Sequence, residues 1–384
     1  MFNPEQIEKF KRLKTPFYYY DISLLQKTID ELKKEADKRN YQIHYAVKAN
    51  ANEGILQIIN DNGFGADCVS GNEVSKSIEI GFDSNKIVFA GVGKSDEEIK
   101  TGLRHEIFCF NVESIQEIEV INSIAGSMNK TAPIALRINP NINPKTHHYI
   151  TTGLEENKFG INFDDFDQIL GKISSYKNLV LTGLHFHIGS QVTDLEVYKS
   201  LCIRINELQK WFVDHKIEIK HLNAGGGLGV NYENPDENLI PDFKSFFRVF
   251  EQFLELQPDQ ILHFEIGRAV VAQCGSLISK VLFIKEGLNT NFVILDAGMT
   301  ELLRPALYQA YHKIENLTSK GKEKRYDVVG PICESSDTFA KSYLLPETKR
   351  GDLISLRSTG AYGEVMASHY NLRSAIQSYF SDQL

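Results

Sequence analysis

The sequence predicts an α/β chain in two parts: a (β/α)8 TIM barrel over residues 25–267, and a mainly β domain, sandwich-like or barrel-like, built from residues 1–24 and 268–384. Three observations carry this. Eight short β-rich runs alternate with segments of helical periodicity between residues 42 and 267. That count and span suit a (β/α)8 barrel, for which about 250 residues is typical. Beyond residue 268 the strand-like runs continue with few helices between them. An open doubly wound sheet would show fewer strands and a G-x-G-x-x-G after the first, and that motif is absent.

The eight runs are "QIHYAVK" (42–48), "GADCV" (65–69), "KIVFA" (86–90), "EIFCFN" (106–111), "IALRIN" (134–139), "LTGLHFHI" (181–188), "HLNAG" (221–225) and "ILHFEIG" (261–267). Between them, "NEGILQIINDNG" puts Ile55, Ile58 and Ile59 on one helical face, with Gly63 placed to end the helix. "PDFKSFFRVFEQFLE" repeats Phe243, Phe246, Phe247, Phe250 and Leu254 at helical spacing. Ser95 with Glu98, and Ser114 with Glu117, have capping-box spacing at two further helix starts. The segment 140–160 is too long for an ordinary barrel loop, which marks it as functional. In the second part, "VVAQCGSLISKVLFIKE", "TNFVILDAG", "YDVVG" and "DLISLRSTG" read as strands, with one helix around "ELLRPALYQAYH". The early "PFYYYD" is also strand-like and is expected to join this domain from the far end of the chain.

Composition narrows the function. With 42% hydrophobic and 24% charged residues, the chain can fill two ordinary cores or one large one. A net charge of −8 with no dense Lys/Arg run leaves no electrostatic footprint for nucleic acid or an anionic membrane, so a small-molecule partner is expected. The start "MFNPEQIEKFKRLK" is polar where a signal peptide needs an apolar core, and no apolar run approaches a membrane span. A cytoplasmic location is the expectation. The five cysteines are odd in number and lack a C-x-x-C pair, so neither a disulfide framework nor a zinc finger is expected. Four should simply pack. Cys333, in "GPICESSD", stands apart because Glu334 follows it directly.

In a barrel the loops that leave the strands build the active face. Lys48 ends the first run, His187-Ile-Gly-Ser-Gln follows the sixth, Gly225 to Gly227 follow the seventh, and Glu265-Ile-Gly-Arg268 ends the eighth. A lone strand-end lysine is ordinarily just solvated, but one desolvated at a barrel mouth can form a Schiff base. The glycines of "AGGGLG" allow close approach of backbone N–H groups to a phosphate, although glycine runs are also plain turns. His185 and His187 share one side of a strand and could ligate zinc with Glu265. A ring stacked on a flat cofactor explains His187 more economically and leaves His185 as a packed neighbour. Glu265 could form a salt bridge to Arg268, or keep a pyridine nitrogen protonated. Lysine, stacking imidazole, phosphate cradle and carboxylate together describe a pyridoxal 5'-phosphate site.

The motifs "YAVKAN", "THHYITTGLEENKFGI", "HFHIGSQ", "GGGLG", "DAGMTELLRPALYQAYH", "GPICESSD" and "AYGEVMASHYN" run nearly end to end. With them the chain resembles the fold type III pyridoxal phosphate-dependent decarboxylases, whose barrel is alanine-racemase-like, and within them the diaminopimelate decarboxylase group. One departure is Ile266 in "EIGR", where the family usually has proline. The resemblance implies that Lys48 holds the cofactor as a Schiff base and that His187 stacks on its ring. It implies that Ser190, Gly226, Gly227 and Tyr362 surround the phosphate, with Gly267 and Arg268 also on the cofactor side. Glu265 would keep the ring nitrogen protonated. Racemases of this fold carry an arginine there, so a glutamate favours decarboxylation. Cys333 would give a proton to the carbon that loses CO2, and no metal is implied.

The resemblance also implies the substrate, meso-diaminopimelate, decarboxylated at its D-configured centre to give L-lysine. Its distal carboxylate calls for arginine, here Arg268 and Arg304, and its distal ammonium calls for a carboxylate, here Glu334. Tyr308 and Tyr362 would border the pocket. A homodimer is implied, with Cys333 and Glu334 serving the neighbouring subunit. The rival within the same chemistry is a decarboxylase of ornithine, arginine or carboxynorspermidine. Glu334, Arg304 and "THHYITTG" argue against it. Rivals from other classes are a metal-dependent barrel hydrolase using His185, His187 and Glu265, and a non-catalytic homologue, which would be expected to have lost Lys48 or Cys333.

Overall fold

A computed structural model describes residues 2–142 and 158–384. The long segment at 140–160, with "THHYITTG", falls mostly outside the described residues. The chain divides into two compact units, one of Ile29–Gly229 and Asp242–Gly267, the other of Met1–Thr28, Val230–Pro241 and Arg268–Leu384. The second unit includes 230–241, a stretch that the sequence reading assigned to the barrel.

A strand β1 (Phe17–Tyr20) precedes the first unit. That unit is a closed barrel of parallel strands β2 (Gln42–Ala46), β3 (Gly65–Cys68), β4 (Ile87–Phe89), β5 (Cys109–Val112), β6 (Ala132–Arg137), β7 (Leu179–His185), β8 (His221–Asn223) and β9 (Ile261–Ile266). All eight expected runs are strands of this barrel, but several strands end earlier than the runs. β2 stops at Ala46, and Val47–Ala49 forms a 3-10 turn that holds Lys48. β7 stops at His185, so His187 lies in the loop beyond it. β9 continues through Ile266, in register with Tyr45 of β2. The strand therefore runs on where the family usually has proline.

Side chains two apart on a strand share a face, and this builds layers inside the barrel. In register Gly183 stands beside His221 and His185 beside Asn223; the rings of His44, His221 and His263 cluster at a lower level, and His185 and Asn223 meet Glu265 above it. The lower level is an unusual polar core. His44 Nε2 lies 2.8 Å from His263 Nδ1, and His44 Nδ1 lies 2.9 Å from the Lys86 carbonyl. That carbonyl can only accept, so His44 carries its proton on Nδ1 and accepts from His263. Gly183 is required here, because a Cβ would stand 2.2 Å from His221 Nε2. Burial, first of all, lowers the pKa of all three rings, His221 to about 3.

Local sequence explains the surrounding helices. The helix Glu53–Asp61 buries Ile55, Leu56 and Ile59, with Ile58 only half-buried, so its inward face is rotated from the expected one. Gly63 does follow it, at φ 80°. The Ser95–Glu98 capping box forms in full. Ser114 accepts from the Glu117 N–H, but the Glu117 carboxylate turns instead to the Glu113 N–H and to Lys94. The helix Phe243–Phe253 buries Phe243, Phe246, Phe247 and Phe250. Three of those rings stand 4.8–5.5 Å from the ring of Phe264 in β9. Each buried phenylalanine contributes about 1.5–3 kcal/mol.

The second unit is an eight-stranded sheet that includes β1. Its other strands are β10 (Gly275–Glu286), β11 (Asn291–Leu295), β12 (Ile314–Asn316), β13 (Glu323–Val329), β14 (Thr338–Pro346), β15 (Leu353–Leu356) and β16 (Gln377–Phe380), in the order β12-β15-β10-β11-β13-β14. The "PFYYYD" segment joins as expected, since β1 pairs with β10 and β16. β10 is long because it serves two neighbourhoods. Its first half pairs with β1 and β15, its second with β11, with an irregularity between Val281 and Phe283. The helix expected around "ELLRPALYQAYH" is confined to Arg304–Tyr308, ended by Gln309 at φ 53°. Among the described residues no helix is long and apolar enough to cross a membrane. All five cysteines are free, four of them buried and Cys333 exposed.

Candidate active site

The barrel unit gathers charge at the C-terminal ends of its strands. Lys48 Nζ lies 2.9 Å from Asp67 Oδ2, the lysine side chain 35% exposed and the aspartate fully buried. Burial and the charge of Glu265 push the Asp67 carboxyl up to about 7, although Lys48 pulls against them. Glu265 is clasped on both oxygens. Oε1 accepts from Asn111 Nδ2 at 3.0 Å and Asn223 Nδ2 at 2.8 Å, while Oε2 lies 2.9 Å from His185 Nε2, which must be its proton-bearing nitrogen. Burial disfavours the ionised form, but the charge and hydrogen bond of His185, with Lys48 and His187 beyond, hold Glu265 well below the usual carboxylate range.

His187 accepts from the Gly226 N–H at Nδ1, at 3.3 Å. Burial, then the charges of Arg137 and Lys48, keep its ring neutral. Arg137 is itself buried and pairs with Glu113 at 2.6 Å. Glu113 also accepts from the N–H groups of Gly91 and Gly160. The glycine turn is required by close approach. A Cβ on Gly226 would stand 1.8 Å from the Glu265 carbonyl oxygen, one on Gly227 2.4 Å from that of Gly189. Gly267 likewise lets β9 end against Ala46 and Ala49, 2.9 and 2.8 Å from where its Cβ would be. Ser190 lies partly exposed in the loop after β7. His185, His187 and Glu265 do not converge: among the described residues no group of three or more His, Cys, Asp or Glu side chains has metal-binding geometry.

The β unit carries the other predicted residues. Arg268 Nη1 donates to the Tyr232 hydroxyl at 2.6 Å, and its guanidinium lies 4.8 Å from the Tyr362 ring centre. Tyr362 adopts φ 56°, in the left-handed region. Arg304 opens a short helix, donates to His312 Nε2 at 2.7 Å, and lies 4.9 Å from the Tyr232 ring centre. Burial raises the Tyr232 pKa, but Arg268 and Arg304 outweigh it and bring it below the usual phenol value. Tyr308, at the end of that helix, is partly buried.

Cys333 and Glu334 are exposed, on a loop pinned by Asp337. Asp337 accepts from the N–H groups of Ile332 at 2.7 Å and Met299 at 2.6 Å. Glycine is needed at 298 and 330, where a Cβ would meet that carboxylate at 2.8 and 2.3 Å. The Cys333 N–H donates to Asn371 Oδ1 at 3.1 Å, and the Tyr370 hydroxyl donates to Glu334 Oε1 at 2.6 Å.

Sequence reasoning passed over Asp67, Asn111, Asn223, Arg137, Tyr232 and His312. Asp67 and Asn111 left a usable signal, a polar residue within an otherwise apolar strand, and so did Arg137 in "IALRIN". Tyr232 and His312 left none, because each matters through a partner distant in sequence.

The barrel residues fit a pyridoxal ring. Asp67 Oδ1, Asn111 Oδ1 and His185 Nδ1 are buried polar atoms without a partner among the described residues. Such atoms call for a missing polar group. A neutral imidazole, a lysine reaching a buried carboxylate, an ionised glutamate and a turn stripped of side chains match the chemistry of an aldehyde-bearing, phosphorylated pyridine.

The comparisons with known proteins agree. Residues 23–272 match the family model described as pyridoxal-dependent decarboxylase, pyridoxal binding domain. A diaminopimelate decarboxylase of Bacteroides thetaiotaomicron is 56% identical over 98% of this chain and 98% of its own length. One of Helicobacter pylori (strain J99) is 42% identical over 97% and 91%. The crystal structure of the Helicobacter pylori diaminopimelate decarboxylase complexed with L-lysine superposes with a TM-score of 0.92 at 40% identity, over 98% of this chain and 93% of that one. An arginine decarboxylase from Paramecium bursaria Chlorella virus, at 21% identity and a TM-score of 0.87, shares the fold. The chain belongs to the diaminopimelate decarboxylases, a family of pyridoxal-dependent decarboxylases.

Proposed function

We propose that this enzyme removes the carboxylate from the D-configured centre of meso-2,6-diaminopimelate and yields L-lysine and CO2, the last step of lysine biosynthesis. One observation carries the reading: a buried carboxylate, Glu265, clasped by Asn111, Asn223 and His185 in the barrel that also holds the Lys48–Asp67 pair. When bound, the pyridoxal ring supplies an electron sink for the pair left behind as CO2 departs. Lys48 would hold the cofactor's aldehyde carbon covalently. His187, neutral, would lie against the ring, and Glu265 would keep a proton on the ring nitrogen. Gly226, Gly227, Ser190 and Tyr362 would receive the phosphate, with Gly267 allowing the close strand end. The Cys333 thiol would deliver one proton to the carbon that lost its carboxylate, so that one CO2 leaves and one proton replaces it.

Arg268 and Arg304 would take the substrate's distal carboxylate and Glu334 its distal ammonium, with Tyr308 and Tyr362 at the pocket's border. The finer reading is a cytoplasmic homodimer in which the Cys333–Glu334 loop of one subunit serves Lys48 of the other. The exposure of that loop, and of Leu372 at 98% and Tyr370 at 50%, supports a covered face.

The test is borohydride reduction of the purified holoenzyme with peptide mapping, combined with CO2 release from meso-diaminopimelate, lysine, ornithine and arginine. A reduced cofactor on Lys48 and preference for meso-diaminopimelate are expected. No label on Lys48 would overturn the chemistry. Preference for ornithine or arginine would overturn only the substrate.

A further inference from the structure

Three arginines are buried in the β unit, and they are not held alike. Arg357 pairs with Glu315 and Asp236, each at 2.9 Å, so its charge is cancelled where it sits. Arg304 forms no ion pair among the described residues. It donates from Nη1 to His312 Nε2 at 2.7 Å, and its guanidinium faces the ring of Tyr232. A guanidinium has only donors, so His312 Nε2 presents a lone pair and the ring proton is on Nδ1. Nδ1 lies 2.9 Å from the carbonyl oxygen of Arg357, which accepts it and fixes the tautomer. Tyr232 braces the imidazole edge-on, at 5.2 Å and 81°. His312 is only 3% exposed.

We propose that His312 is the positioning residue for anion recognition: it orients Arg304 with a neutral acceptor, leaving the full guanidinium charge for the substrate's distal carboxylate. A carboxylate in its place would orient the arginine equally well, but it would cancel the charge the substrate needs. Burial, followed by the charge of Arg304, brings the His312 pKa down to about 3, which keeps the ring neutral in the working range. The inference rests on the diaminopimelate reading and names the residue that tunes that specificity.

The test compares His312→Gln, whose amide oxygen can replace Nε2, with His312→Glu, whose carboxylate oxygen occupies the same place. For holoenzyme of each, the readouts are KM and kcat for meso-diaminopimelate, and the ratio of its kcat/KM to that of D-lysine. D-lysine keeps the reacting D centre and lacks only the distal carboxylate. We expect His312→Gln to keep the ratio within about tenfold of wild type. His312→Glu should lower the ratio at least about 100-fold, mainly through KM, the scale on which a buried site discriminates when its charge partner is lost. His312→Phe, which orients nothing, should fall between them, and its melting temperature and cofactor absorbance report folding. If Gln and Glu give the same ratio, or if the loss is in kcat for both substrates, His312 is structural and the inference is overturned. If wild-type enzyme releases no CO2 from meso-diaminopimelate, the functional reading fails instead.

Discussion

The barrel pairs its buried charges, and among the described residues the β unit does the same for Arg357 but not for Arg304. In the barrel, Lys48 meets Asp67, Arg137 meets Glu113, Lys94 meets Glu117 and Glu265 meets His185, all within 3 Å. A buried charge left without an opposite or a set of hydrogen bonds is costly, and each of these groups has such a partner. In the β unit, Arg304 is seated among a phenol and an imidazole, neither of which cancels it. On the proposed function the difference would separate two tasks: chemistry on a cofactor would need pre-satisfied charges, whereas reading a substrate's far end would need a charge kept in reserve.

The largest expected effect comes from breaking the barrel's network at Lys48, the residue proposed to hold the cofactor. Lys48→Ala should lower CO2 release by at least about 10⁴-fold, the scale of losing a nucleophile that acts as part of a unit. Single-turnover assays with added cofactor would check it. Glu265→Gln should cost about 10²–10³-fold in kcat, comparable to removing one preorganised electrostatic group. The amide can still occupy the clasp of Asn111 and Asn223, so the melting temperature should shift little while kcat collapses. Equal loss of both would reassign Glu265 to folding.

Much of this arrangement was legible in the sequence. The eight runs predicted the eight barrel strands because strands buried on both faces read as continuous apolar segments. Lys48, His187 and Glu265 were visible because they punctuate those segments. Element ends were less legible, since a strand stops where pairing stops: Lys48 proved to sit in a 3-10 turn, and the helix after Leu303 was cut short by Gln309. Partners that act across sequence separations were harder to read. Asp67, which reaches Lys48 from the next strand, showed only as a polar residue in an apolar run, and His312 showed nothing, being defined by a carbonyl 45 residues away. The Ser114 capping box is only half formed, because the Glu113 N–H and Lys94 take the Glu117 carboxylate.

A smaller effect sharpens the comparison through pH. His44, His221 and His263 in the barrel and His312 in the β unit all have folded pKa values below the ordinary imidazole value, His221 and His312 at about 3. The unfolded chain therefore binds protons that the folded chain refuses between about pH 6.5 and 3. Stability is present above that window and is lost as pH falls through it. Near pH 5, His221 and His312 should each contribute a slope of about 1.4 kcal/mol per pH unit. Urea unfolding across pH 4–8 would measure it, and a flat profile would contradict the neutral-histidine core. Smaller still, Gly226→Ala should destabilise by about 1–3 kcal/mol through overpacking against the Glu265 carbonyl, read as a lower urea midpoint.

The most direct test of the division between compensated and reserved charge is the kcat/KM ratio of meso-diaminopimelate to D-lysine in wild type and Arg304→Gln. A reserved guanidinium predicts a wild-type ratio of about 10⁴ or more, since a site built for a charged group rejects the analogue that lacks it. In Arg304→Gln the ratio should collapse at least about 100-fold, through loss of meso-diaminopimelate binding. A variant that keeps the wild-type ratio would show that Arg304 is not the charge the substrate meets.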